Sequence, residues 1–140
     1  MELWIIYALL AAVFASLVAI FGKIGIQNID ATLATTVRSI IMASFLIITA
    51  FSLGKLKLLS TIDSKTCLFI VLSGVAGALS WLFYFVALKT GPATAVAALD
   101  KMGVAFVVVL AVLFLGETLT WKVALGAVLL TIGVILMTIK

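Results

Sequence analysis

Residues 93–115 read ATAVAALDKMGVAFVVVLAVLFL, an apolar run interrupted once, by Asp100-Lys101. At 1.5 Å rise per residue such a run covers the roughly 30 Å of bilayer hydrocarbon, so it reads as a transmembrane helix. The two charges are the exception. An ionisable side chain at mid-membrane costs roughly 2.5–3.5 kcal/mol on insertion scales, so such residues face a partner or a watery cavity.

Working outward, the whole chain shares that character. It is 66% hydrophobic and 10% charged, with a mean hydropathy of +1.48, against about 45–50% apolar and 25% charged in soluble domains. An all-α integral membrane protein follows. Its 140 residues, at about 20 per span, allow five or six crossings and leave almost no chain for a soluble domain. The nine basic residues against five acidic ones are scattered through short connections, with no Lys/Arg run that would bind nucleic acid; they read as topology signals. One cysteine, Cys67, and no histidine exclude an intramolecular disulfide and an ordinary zinc or haem site. No metal, cofactor or catalytic residue is expected, since no Ser or Cys stands beside a base at a suggestive spacing. Met1-Glu2-Leu3-Trp4 lacks the positive n-region of a signal peptide, so the first helix is expected to stay in the mature chain.

Five spans are predicted, over about 3–26, 31–53, 66–88, 93–115 and 121–139, within a single membrane domain over 1–140. Gln27-Asn28-Ile29-Asp30 makes the first polar turn, and 54–65 forms the one long loop. Thr35, Arg38, Ser39 and Met42 share a face at helical spacing. Either the hydroxyls bond their own helix while Arg38 snorkels to the headgroups, or the face lines a cavity. Lys89-Thr90-Gly91-Pro92 ends the third helix, with Thr90 or Gly91 able to cap the fourth and Pro92 tolerated in its first turn. Thr120 is placed as an N-cap, with Glu117 near the positive end of the last helix dipole. Gly126 and Gly133, seven residues apart, offer one face to a neighbouring helix, as do Gly74 and Ala78 on the third span.

With five spans the termini lie on opposite sides. Lys55, Lys57, Lys65 and Lys122 fall on the side of the N-terminus; Lys23, Lys89 and Lys140, with the deeper Arg38 and Lys101, fall on the other. Orientation follows Lys/Arg excess in short cytoplasmic loops, and here there is nearly none. Dual topology is therefore expected, and with it an antiparallel homodimer that rebuilds from two chains the inverted repeat many transporters carry in one.

Depth groups the polar residues. From the same membrane side Arg38, Trp81 and Asp100 each lie about 10 Å in, with Lys101 deeper, Tyr84 shallower and Lys23 at about 5 Å. Neighbouring helical residues point about 100° apart, so Asp100 and Lys101 are expected to have separate partners. Arg38 matches Asp100 in depth and sign; an unpaired Asp100 would instead suit proton binding and release during transport. Lys101 then faces a solute, a headgroup or another subunit. Arg38, Trp81, Tyr84, Asp100 and Lys101 are the candidate cavity residues, with Lys23, Pro92, Glu117, Thr120, Gly126 and Gly133 as structural candidates. Trp4, Tyr7 and Trp121 read as interface anchors.

Phe21-Gly22-Lys23, Arg38, Ala87-Leu88-Lys89-Thr90-Gly91-Pro92-Ala93, Asp100-Lys101, Leu115-Gly116-Glu117-Thr118-Leu119-Thr120 and the closing Gly126 to Val134 segment, in that order, resemble one five-helix EamA repeat of the drug/metabolite transporter superfamily. The chain departs from the common pattern at Asp30-Ala31, where many repeats have a proline, and at Asp100-Lys101. The resemblance implies half of a ten-helix inverted-repeat fold and export of metabolites, amino acids or drugs through a central cavity. The expected function is transport of a small solute by alternating access, in a prokaryotic cytoplasmic membrane, with the bilayer, the solute and a second copy as partners. Arg38, Lys101 and Lys23 against Asp100 favour a solute carrying carboxylate or phosphate. Two alternatives stand beside it: a non-transporting subunit of a five-plus-five-helix heteromer, and a proton-coupled multidrug exporter, although helix 1 has no acid after Glu2.

Overall fold

Asp30 starts the clearest local construction in the chain. Its backbone is extended and its carboxylate accepts from the Thr32 and Leu33 N–H groups, so it caps the helix that follows. The computed structural model describes residues 3–139, and among the described residues all regular structure is helical. Helix α1 is Leu3–Gly25 and α2 is Ala31–Ser52. Helix α3 is Ser64–Thr90, α4 is Ala93–Asp100, α5 is Met102–Leu110 and α6 is Trp121–Thr138. Glu2 and Lys140, which entered the reading of the termini and the charge balance, lie outside the described residues.

Five helices are long and apolar enough to cross a bilayer, with α4, α5 and the residues to Leu115 together making the fourth, Ala93–Leu115. That crossing is not one regular helix. At Lys101 the backbone turns to φ −70°, ψ −12°, and two i→i−3 bonds replace the α-helical pattern: Lys101 N–H to the Ala98 carbonyl and Val104 N–H to the Lys101 carbonyl, both 3.0 Å. The crossing ends in a widened turn at Ala111–Leu115. Gly116, at φ +67°, then reverses the chain, and the Glu117 N–H closes the end on the Ala111 carbonyl at 3.2 Å.

Three expectations about ends and loops need correction. Pro92, not Thr90 or Gly91, occupies the N-cap of α4, with no side-chain cap bond; its missing N–H is harmless there and its carbonyl accepts from Val96 at 3.0 Å. The long loop is half helical, because Gly54 at φ +66° leads into a 3₁₀ helix over Lys55–Thr61. Helix α3 starts earlier than expected, at Ser64, where the Asp63 carbonyl receives the Cys67 N–H at 2.9 Å. Thr120 does cap α6, accepting from Val123 N–H at 3.4 Å.

The chain forms two compact units. One is Ile24–Lys89, holding α2 and α3. Its core is Ile26, Ala31 and Phe85, with Ala34, Trp81 and Tyr84 packed against them. Lys89 Nζ donates to the Ile29 carbonyl at 2.8 Å, tying the end of α3 to the turn before α2. The other unit takes the chain through Lys23 and from Thr90 onward. In it α4 and α5 both pack against α6, and Lys23 Nζ donates to the Gly91 carbonyl at 2.9 Å, tying the end of α1 to the turn before α4. Side chains built at Gly126 and Gly133 would meet nothing within 4 Å, and the same holds at Gly74. Among the described residues nothing packs closely against these three glycines.

Candidate functional site

Arg38 lies seven residues into α2, about 10 Å from its start. Its guanidinium carbon sits 3.8 Å from the centroid of the Trp81 ring and 5.5 Å from that of Phe85. Trp81 and Phe85 are one helical turn apart on α3, so both rings present to the same place. Tyr84 completes the group: its ring lies 5.5 Å from Trp81 at an interplanar angle of 76°, and 6.1 Å from Phe85. A cation over an indole face gains about 0.5–1 kcal/mol when exposed and about 2 when desolvated. Arg38 Nη1 is buried and has no hydrogen-bond partner among the described residues. The aromatic faces hold the guanidinium without neutralising it.

The polar face predicted around Arg38 is divided by the fold. Thr35, Thr36 and Ser39 each donate to the carbonyl four residues back, at 2.8 Å, so their hydroxyls belong to their own helix. Thr32, Thr36, Ser39 and Ala43, with Ala78 and Leu82 of α3, line an open cleft of about 440 Å³. Arg38 is not among its lining residues. With the hydroxyls engaged, that cleft is apolar in character.

Asp100 and Lys101 behave differently from expectation. Lys101 Nζ pairs with Asp100 Oδ2 at 3.0 Å, so these neighbours are each other's partners. Two neighbours expected to point apart thus pair where the α-helical pattern breaks at Lys101. Both side chains stay open, Lys101 56% and Asp100 41% exposed. Lys23 is held by the Gly91 carbonyl. Arg38, the residue matched to Asp100 by depth and sign, lies over Trp81 in the Ile24–Lys89 unit. Glu117 contributes its backbone to the end of the fourth crossing.

Phe85 escaped the sequence reading. Its spacing of four from Trp81 was the available signal, but an apolar residue in an apolar helix carries none of the contrast that marks Arg38. The capping carboxylates were also missed. Outside the spans, the Leu33 N–H and then that of Thr32 hold Asp30 below the usual carboxylate range against opposing desolvation, with Lys89 adding to the effect. Asp63 is lowered chiefly by the Thr66 hydroxyl.

Comparison with known proteins places this geometry in context. The model of the EamA-like transporter family matches residues 2–139. A Sinorhizobium protein described as an uncharacterised transporter in the cobO 3′ region is 39% identical over 136 residues, covering 97% of this chain and 96% of that protein. An uncharacterised protein of Methanocaldococcus jannaschii is 32% identical over 142 residues, covering 100% of this chain and 99% of its own length. No solved structure matches the chain.

Proposed function

Because this chain belongs to the EamA-like transporter family and is a multi-pass integral membrane protein, we propose that it moves a small solute by alternating access as an antiparallel homodimer with mixed orientation in a prokaryotic cytoplasmic membrane. The observation that carries this reading is length. The Sinorhizobium relative, named as a transporter, is matched over 96% of its own length; five spans therefore serve a protein of transporter type, and a ten-helix inverted pair needs two chains.

Two further features support a second copy. The Lys/Arg balance between the two membrane sides is nearly even, so neither orientation is favoured. Asp100-Lys101 is an accessible ion pair inside an apolar crossing, and glycine faces on α3 and α6 are left open. A partner helix could approach those glycine faces closely. The chemistry is transport rather than catalysis, in keeping with the family and the transporter-named relative.

Cys67 tests the orientation directly. It is exposed, at the first turn of α3. An impermeant thiol reagent on intact cells should label part of the population and leave a part that reacts only after permeabilisation. Complete labelling or complete protection on intact cells defeats mixed orientation. Mass measurement of the purified complex should give two copies of one chain; a second polypeptide would mark a heteromeric subunit.

A further inference from the structure

Of the three cations singled out within or at the ends of the spans, Lys23, Arg38 and Lys101, two are engaged. Lys101 is paired with Asp100 at 3.0 Å. Lys23 is bonded to the Gly91 carbonyl at 2.9 Å. The third, Arg38, lies on aromatic faces, at 3.8 Å from Trp81 and 5.5 Å from Phe85, and its Nη1 is buried without a hydrogen-bond acceptor among the described residues.

Among the described residues of the Ile24–Lys89 unit no acid serves Arg38 as a counter-ion, and Asp100 of the other unit is paired. Asp30 is committed to the α2 N-cap, Asp63 to the start of α3, and Asp100 to Lys101. Glu117 lies in the turn between the fourth crossing and α6. The nearby hydroxyls of Thr35 and Ser39 donate to carbonyls of their own helix, and neither accepts from Arg38 Nη1. A guanidinium at this depth without an acceptor is costly. It is also well prepared: stacking on indole fixes its plane, the side chain as a whole is only part-buried, and a planar guanidinium can give two parallel N–H···O bonds to a carboxylate or phosphate.

We propose that Arg38, clamped by Trp81 and Phe85, is the binding point for the oxyanion of the transported solute, which is therefore a small carboxylate or phosphate compound. This rests on the transporter reading for the word transported; the oxyanion site itself does not. Trp81 and Phe85 are positioning residues, acting through Arg38. Lys101 and Lys23, each already engaged by a group of the chain, are not part of the proposed site.

The test is direct binding to the full chain in nanodiscs, read by Trp81 fluorescence in a Trp4→Phe/Trp121→Phe background. The probes are acetate, benzoate and inorganic phosphate, with acetamide and benzamide as uncharged counterparts. At least one anion should give a saturable change, and the matching amide should give none. Arg38→Gln should weaken binding about 30-fold or more, the effect of removing one partner of a buried hydrogen-bonded charge pair. Arg38→Lys, which keeps the charge but loses the fork, should fall between. Lys101→Gln should bind as the parent does. The wild-type comparison of anion with amide needs no variant, so a misfolded Arg38→Gln does not shelter the idea. Equal response to anion and amide, no saturable response to any anion, or equal binding by a folded Arg38→Gln overturns it. Nanodiscs of phosphatidylcholine with and without phosphatidylglycerol separate solute from lipid: loss of probe binding in the anionic lipid assigns the site to a headgroup and overturns the solute assignment. Flux of the bound probe into proteoliposomes is scored separately. Binding without flux defeats the transporter reading and leaves the oxyanion site standing; flux unaffected by Arg38→Gln does the reverse.

Discussion

Arg38 and Asp100-Lys101 are two answers to the same problem, a charge within an apolar crossing. On α2 the helix stays regular and the cation is laid on aromatic rings, with no counter-ion among the described residues. On the fourth crossing the helix breaks, the cation turns back to a carboxylate beside it, and the pair remains open. Self-neutralised charge needs only cover. Charge held but left unneutralised is available to something that comes and goes, which is what a transported solute does.

That contrast can be broken by mutation. The largest effect should be on transport, where Arg38→Gln loses about 30-fold or more in apparent solute affinity while Lys101→Gln loses little; the reverse order in a flux assay would exchange the roles of the two regions. Next in size is the charge pair. Asp100→Asn alone should cost up to about 3 kcal/mol of thermal stability in nanodiscs, because it strands Lys101 in the span. The double change Asp100→Asn/Lys101→Gln should cost clearly less. Additive costs would mean that the two charges are independent and that their contact carries no stability.

A third comparison is of stability at Arg38. Arg38→Met gives up a cation–π contact of about 1–2 kcal/mol but removes an unneutralised charge, so the solute-free protein should stay within about 1 kcal/mol of the parent. A large loss would make Arg38 a structural element rather than a held-open site. Gly116→Ala, which forces a Cβ into the left-handed region, should cost about 1 kcal/mol by the same thermal assay. The smallest effect concerns Asp30. Its carboxyl is held below its unfolded value near 3.9, so its stabilisation is complete above that pH and is lost as pH falls through the lower folded value. Asp30→Asn should make the acid limb of the stability profile shallower and leave neutral pH nearly unchanged.

Much of this molecule is written in its residues. The five apolar runs could be placed because each carries about 20 residues of hydrocarbon-compatible sequence between polar turns. Thr120 could be named as a cap because its chemistry is local. The misplaced details were those set by backbone geometry: Pro92 as the cap itself, the helical segment after Gly54, and, within a span, the break at Lys101. A sequence rule that assumes regular α-helix cannot foresee a side-chain pairing that depends on the helix departing from it.

The sequence by itself determined that the chain is a five-span membrane protein of EamA type and that Arg38, Asp100 and Lys101 are its costly residues, because burying charge in hydrocarbon is unfavourable whatever the fold. Only the tertiary structure decided which costs are met within the chain. Pairing depends on distances of a few ångströms between side chains, and these arise from local helix distortion at Lys101 and from the register of α2 on α3 that brings Trp81 and Phe85 beneath Arg38.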